Sequence, residues 1–147
     1  MISFEYSAGR AWMGRLRHGE DLLAELNRVT RELQVTCGCV QAIGAVQQAR
    51  LGFYDQQRRI YEYLTFEHAL ELTSLAGNIS LKDGETMVHA HANLADKTGR
   101  VIGGHVAEGT IIFACEFTLQ EWRGPAPIRE FDPATGLFLW PEADTPQ

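Results

Sequence analysis

The segment from Gly77 to His105 reads GNISLKDGETMVHAHANLADKTGRVIGGH and contains three of the five histidines in the chain. Uncharged residues alternate around His89 and His91, and this period of two is typical of a β-strand. Side chains two positions apart on a strand project from the same face of the sheet. We therefore expect His89 and His91 to point the same way.

The position of His105 depends on the turn Asp96-Lys97-Thr98-Gly99. A three-residue hairpin loop places His105 opposite His91, whereas a four-residue loop places it on the other face. Asp at the first turn position and Gly at the left-handed position favour the shorter loop. A bulge at Gly103-Gly104 would shift the register. We expect three imidazoles on one face.

Three neutral imidazoles in this arrangement are typical ligands of zinc or another borderline divalent transition metal, with a fourth position left to water or a ligand. The sequence therefore predicts a metal site at His89, His91 and His105. The alternative is that the three are polar residues on a solvated strand face. We assign three further residues to the ligand-binding surroundings. Gly103 and Gly104 allow close backbone approach, and Asn78 shapes a turn or donates a hydrogen bond into a ligand pocket.

Length and composition indicate one ordinary globular domain. The chain has 147 residues, and we predict a single domain over 1–141 followed by a polar tail over 142–147. No apolar run has the length of a membrane span and no signal peptide begins the sequence, so we expect no membrane association and a cytoplasmic location. The formal net charge of −6 argues against DNA binding, because affinity for nucleic acid comes largely from cationic side chains, and DNA is therefore a weakly supported partner.

The periodicity predicts an α+β fold in which a largely antiparallel, twisted sheet of about seven strands packs against one long helix. The helix is predicted over Glu20–Val35, with an apolar stripe at Leu22, Leu26, Val29 and Leu33. The residues predicted to face water are Glu25, Arg28, Arg31 and Glu32. One helix covers only part of such a sheet, so we expect the remaining apolar face to be buried in a homo-oligomer.

Several motifs, spread from about Arg10 to Leu139, carry a resemblance to a known family. They are His18-Gly19-Glu20-Asp21-Leu22, Ala49-Arg50-Leu51-Gly52-Phe53-Tyr54, Glu71–Ile79, Lys82-Asp83-Gly84-Glu85, His89-Ala90-His91, Gly103-Gly104-His105 and Glu108-Gly109. With these the chain resembles the stand-alone prokaryotic form of the plants-and-prokaryotes conserved (PPC) domain. The resemblance implies a homotrimer and a metal site, usually zinc, at His89, His91 and His105. Plant relatives join the domain to AT-hooks, whose Arg-Gly-Arg-Pro core enters DNA, and this chain has no such core.

Three functions stay open at this point. The first is a metal-binding homotrimeric module for assembly, ligand binding or regulation, linked to transcription. The second is a zinc-dependent hydrolase that uses the three-histidine site, with a carboxylate such as Glu71, Glu85, Glu108 or Glu116 as its base. The third is direct DNA binding by local clusters of arginine, which would depend steeply on salt. A small-molecule ligand is compatible with the first two, and the sequence does not decide whether the protein is an enzyme.

Overall fold

The computed structural model describes residues 2–141, which form one sheet-rich domain with a single helix. The predicted polar tail, 142–147, lies outside the described residues. The helix is α1 (Leu22–Glu32). The strands are β1 (Ser7–Arg15), β2 (Gly38–Asp55), β3 (Ile60–Phe66), β4 (Leu70–Lys82), β5 (Glu85–Ala95), β6 (Val101–Val106), β7 (Ile111–Arg123), β8 (Ile128–Asp132) and β9 (Leu137–Leu139). No helix within the described part is long and apolar enough to cross a membrane.

The strand pairing confirms the predicted class, a largely antiparallel sheet with one helix. The order along the sheet is β1-β7-β2-β6-β5-β4-β8-β9, and β3 pairs with β2 outside this path. The long strand β2 pairs with β7, β4, β6 and β3 along its length. It changes register near Gly44, whose φ of +148° suits glycine. One pairing is parallel, that of β4 with β8.

The number of strands was predicted wrongly, since the sheet has nine strands and not about seven. Strand β8 was missed because Gly124, Pro125 and Pro127 are typical of a chain that leaves a sheet. Its pairing with β4 is limited to two residues, Ile128 and Arg129. A parallel contact between distant segments leaves no local pattern in the sequence.

The helix is shorter than predicted, and both of its ends have a clear cause. Asp21 is its N-cap, and the Asp21 carboxylate accepts a hydrogen bond from the Ala24 amide. Gln34 adopts a left-handed φ of +56°, which stops the helix after Glu32. The Val35 amide then donates to the Thr30 carbonyl, and the Gln34 amide to the Arg31 carbonyl, which is a Schellman motif. Glycine usually occupies the left-handed position, so glutamine there gave no stop signal.

The prediction that Glu25 faces water is also wrong, because its residue is only 3% exposed. Two arginines bind its carboxylate. The Arg17 Nη2 lies 2.5 Å from Glu25 Oε1, and the Arg28 Nε lies 2.7 Å from the same oxygen. These contacts lower the pKa of Glu25 to about 2. The charge is therefore tolerated at the edge of the core because it is paired.

The sheet has a helix-covered face and a second face that α1 does not cover, which we call the open face. Along β5, Val88, Ala90, Ala92 and Leu94 are buried and join Leu22, Leu26 and Val29 of α1 in one core. The Asn27 side-chain oxygen of α1 also accepts a hydrogen bond from the Val88 amide. The residues between these, including His89 and His91, project to the open face.

Candidate metal centre

The β5–β6 hairpin sets the register of the histidines. The Asp96 amide donates to the Arg100 carbonyl, and the Gly99 amide donates to the Asp96 carbonyl. Gly99 has a φ of +82°, and the Asp96 carboxylate accepts bonds from Thr98 and from the Arg100 amide. The loop is thus the shorter of the two alternatives, and His91 pairs directly with His105. The predicted register is confirmed.

The three imidazoles meet on the open face. Their ring centroids lie 5.2 Å apart for His89 and His91, 5.0 Å for His89 and His105, and 5.4 Å for His91 and His105. One ligand nitrogen from each ring lies within 4.8 Å of the other two. His91 is exposed, whereas His89 and His105 are half-buried. The Tyr61 ring packs against His105 at 5.1 Å.

The two inner histidines are kept neutral by their surroundings. Burial, aided by His105, Arg129 and His91, lowers the pKa of His89 to about 4. Burial also lowers the pKa of His105, with contributions from His91 and Arg129. A neutral imidazole has a lone pair available for a metal, so the environment prepares these residues as ligands.

Two observations suit the histidine cluster to a divalent ion: the separation of its nitrogens, and one buried nitrogen that has no hydrogen-bond partner among the described residues. The Nδ1 atom of His105 is buried and has no hydrogen-bond partner among the described residues. Zinc bonded to imidazoles at about 2.0–2.1 Å holds their nitrogens about 3.4 Å apart. The histidine nitrogens lie within 4.8 Å of one another, so movements of about 1 Å or less would bring them to that separation. The group would be held by His89, His91 and His105, and it would supply Lewis acidity and a coordination position for a ligand.

Gly103 and Gly104 lie where β6 crosses close to its neighbours. A Cβ atom on Gly104 would meet the Gly52 carbonyl oxygen at 2.9 Å, and a Cβ on Gly103 would meet the Asn93 side-chain oxygen at 2.6 Å. Glycine is thus required for the backbone approach that sets His105 beside His91, as the sequence indicated. A direct contact of these two glycines with a ligand stays a prediction.

Arg129 is a component of the site that the sequence did not reveal. It lies on β8 beside Lys82 of β4, and it is 7% exposed. Its Nη2 atom donates to the Asn78 side-chain oxygen at 2.7 Å and lies 3.5 Å from His89 Nδ1. Asn78, which we assigned to ligand binding, thus holds Arg129, and its own contact with a ligand stays a prediction. The run Ile128-Arg129-Glu130-Phe131 does not alternate with a period of two, so the sequence gave no clear signal for this strand.

A cavity of about 310 Å³ adjoins the cluster and is lined by His89, His105, Tyr61 and three cationic residues, Arg59, Lys82 and Arg129. The residues that line it within 2–141 include no Asp or Glu. The carboxylates that we considered as bases, Glu71, Glu85, Glu108 and Glu116, are not part of this lining.

The remaining histidines lie outside the cluster, as expected. The His18 Nδ1 contacts the Phe113 carbonyl, and His68 packs edge-on against Phe66. All three cysteines are free thiols, and Cys37 and Cys115 are buried.

Fold and site together define a class of protein, a single antiparallel-sheet domain with a three-histidine cluster of the kind that holds a divalent ion. The chain belongs to the Plants and Prokaryotes Conserved (PCC) domain family, whose model matches residues 3–123. This family is the one that the motifs indicated under its other abbreviation, PPC.

Two solved structures are similar over nearly their whole length. A metal-containing protein from Archaeoglobus fulgidus is 39% identical, with a TM-score of 0.91 over 97% of this chain and 100% of that one. A plant- and prokaryote-conserved (PPC) protein from Pyrococcus horikoshii is 33% identical, with a TM-score of 0.91 over 98% and 99% of the two chains.

A curated relative is much longer. The bifunctional protein GlmU of Synechococcus sp. (strain JA-3-3Ab) is 37% identical over 131 residues, which are 88% of this chain and 20% of that protein. The chain therefore spans about a fifth of the length of the curated relative.

Proposed function

We propose that the protein is a homotrimeric metal-binding module that holds one zinc or similar divalent ion through His89, His91 and His105 and presents it to a small ligand. The observation that carries this proposal is the convergence of three ligand nitrogens within 4.8 Å on the open face. The metal-containing relative from Archaeoglobus fulgidus, which has the same fold at 39% identity, supports it. The metal identity is part of the proposal, because imidazole ligands suit zinc and also other borderline ions.

The trimer is supported by apolar side chains that the single chain leaves on its open face. Met13 is 86% exposed and Ile43 is 57% exposed. They border a shallow depression of about 780 Å³, which also includes Ala76, the partner of His91 across β4 and β5. A second and third copy would cover such a surface, as the resemblance to homotrimeric PPC proteins implies.

A ligand-binding role agrees better with the cavity than a hydrolytic one. A hydrolase of the type considered above uses a carboxylate as base beside the metal, and the cavity lining within residues 2–141 supplies cations and tyrosines. We therefore assign the module to ligand binding and regulation. Its link to transcription rests on the resemblance to the plant proteins.

The test is the metal content of the purified protein, measured by elemental mass spectrometry after purification without chelators. We expect one divalent ion per chain, and its loss in His89→Ala, His91→Ala and His105→Ala. His68→Ala, outside the cluster, is the matched control and should keep its metal. Light scattering on the same samples should give the mass of a trimer. A wild-type protein that takes up no zinc, cobalt or nickel would overturn the metal-site proposal.

A further inference from the structure

The cavity beside the histidines carries an excess of positive charge, and Arg129 is its centre. The Arg129 residue is 93% buried, since only 7% of it is exposed. Its three short hydrogen bonds go to neutral acceptors, the Ser80 hydroxyl at 2.8 Å, the Asn78 amide oxygen at 2.7 Å and the Phe138 carbonyl at 3.2 Å. No ion pair joins Arg129 to a carboxylate within residues 2–141.

A buried cation without an anion is unfavourable, because the charge has lost water and gained no opposite charge. Burial accordingly lowers the pKa of Arg129, although a guanidinium stays protonated at neutral pH. A bound anion would supply the missing charge through charge-assisted hydrogen bonds.

Two neighbouring cations add to the imbalance. The Lys82 ammonium lies over the Phe138 ring at 3.9 Å, and no carboxylate within the described residues pairs with it. Arg59 also lines the cavity, where it donates to the Pro133 carbonyl. The Asp132 carboxylate interacts electrostatically with Arg59. It also accepts hydrogen bonds from the Thr135 hydroxyl and the Ala134 amide. A divalent ion on three neutral imidazoles would raise the positive charge further.

The free donors of Arg129 match a planar anion. A guanidinium has five N–H groups, and the three short bonds use one on each nitrogen. One N–H on Nη1 therefore has no partner, and the second N–H on Nη2 makes only a long contact of 3.5 Å with His89 Nδ1. A carboxylate that replaces this long contact accepts from both nitrogens. Phosphate sites usually add a helix N-terminus, and α1 contributes no residue to this lining.

We infer that the cavity of Arg129, Lys82, Tyr61, His89 and His105 is a binding site for a small organic acid, whose carboxylate is bound by Arg129 beside the histidine cluster. The apolar side chains Leu137, Phe138 and Leu139 form the opposite wall and contact the organic part of the ligand. The volume of about 310 Å³ limits the ligand to a small molecule. This inference deepens the proposed function and rests on it for the metal, but the carboxylate contact is made by the chain itself.

The experiment is calorimetric titration of the full chain with L-lactate, in parallel on zinc-loaded and metal-free protein. Inorganic phosphate is the second probe. Tryptophan fluorescence is an independent readout, since the Arg129 guanidinium lies 5.4 Å from the Trp140 ring. We expect saturable lactate binding that is weakened tenfold or more in Arg129→Met. Arg129→Lys keeps the charge and loses the two-bond contact, so its lactate affinity should lie between those of the wild type and of Arg129→Met.

The controls separate this inference from the proposed function. Arg100→Met removes an exposed arginine of the β5–β6 loop and should leave lactate affinity unchanged. If Arg129→Met does not fold, Lys82→Met is the substitute test, because it leaves Arg129 in place. It should weaken lactate binding by a smaller factor than the tenfold expected for Arg129→Met.

Zinc content is measured on every variant. If the wild-type protein takes up no zinc, cobalt or nickel, the metal proposal fails, and the metal-free titration still decides on the carboxylate. No saturable lactate binding in either form, phosphate binding without lactate binding, or equal affinities in Arg129→Met and Arg100→Met would each overturn the inference.

Discussion

Asn78 and Arg129 join the last strands of the chain to the histidine-bearing part of the sheet. Asn78 pairs with His89 across β4 and β5, and its side-chain oxygen accepts the Arg129 bond. Replacing Asn78 by Leu removes an acceptor from a buried cation, and we expect unfolding free energy to fall by about 1.5–3 kcal/mol. Urea denaturation measures this loss. Asn93→Ala, which removes an exposed amide that donates to the exposed Ser74 hydroxyl, is the control, and its loss should be smaller, about 0.5–1 kcal/mol.

Glu25 gives the protein a predictable response to acid. Its pKa, lowered from 4.5 to about 2 mainly by Arg17 and then by Arg28, means that the unfolded state binds a proton at higher pH than the folded state does. The stabilisation is therefore complete above pH 4.5 and is lost as pH falls toward 2. Glu25→Gln should cost about 1–3 kcal/mol at pH 7, and the difference from wild type should shrink toward pH 2. Thermal unfolding at a series of pH values checks this, and a constant difference across the series would contradict it.

Among the elements, β6 brings a close backbone approach directly beside a histidine of the cluster. Gly104→Ala places a methyl group against the Gly52 backbone carbonyl, which cannot rotate away. We expect a loss of about 1–3 kcal/mol in stability and weaker zinc affinity, because His105 follows directly. Gly103→Ala is the comparison: it meets the movable Asn93 side chain at 2.6 Å and the Ala92 carbonyl oxygen at 3.0 Å, and because residue 103 does not directly precede His105 its loss of zinc affinity should be smaller. Denaturation and competition with a fluorescent chelator test both. Equal losses in the two variants would show that the crowding at Gly52 has no special role.

The same elements show how far sequence alone leads. The β5–β6 hairpin was predictable to the residue, because turn chemistry and a period of two are local signals, and they set His91 opposite His105. The helix end was not, since Gln34 takes a conformation usually reserved for glycine. Strand β8 was missed because its pairing joins residues far apart in the chain, and the Arg129 part of the cavity was missed with it.

At the scale of the whole molecule, the exposed side chain of Ile43 allows the proposed assembly of the chain to be tested. Ile43→Asp places a charge on the open face, so we expect the proposed trimer to dissociate to monomers. Leu64, which is 61% exposed and pairs with the core residue Leu51, lies on the other face and provides the control Leu64→Asp. Light scattering distinguishes the two. Retention of one metal per chain in a monomeric Ile43→Asp variant would show that each chain holds its own ion, and a trimer that survives this change would contradict the proposed contact.

The two halves of the cavity come from different parts of the chain. The three histidines lie within the family match, 3–123, whereas Arg129 and the wall of β9 follow it. The segment from 124 to 141 pairs with β4 at two residues, and it is held further by the bonds of Arg129 and by bonds from Tyr54 and Arg59 of the β2–β3 hairpin. We therefore expect that exchange of this terminal hairpin would change the ligand preference of the proposed pocket and leave the histidine strands untouched. Chimeras that carry the hairpin of one family member on the body of another offer a direct way to test this.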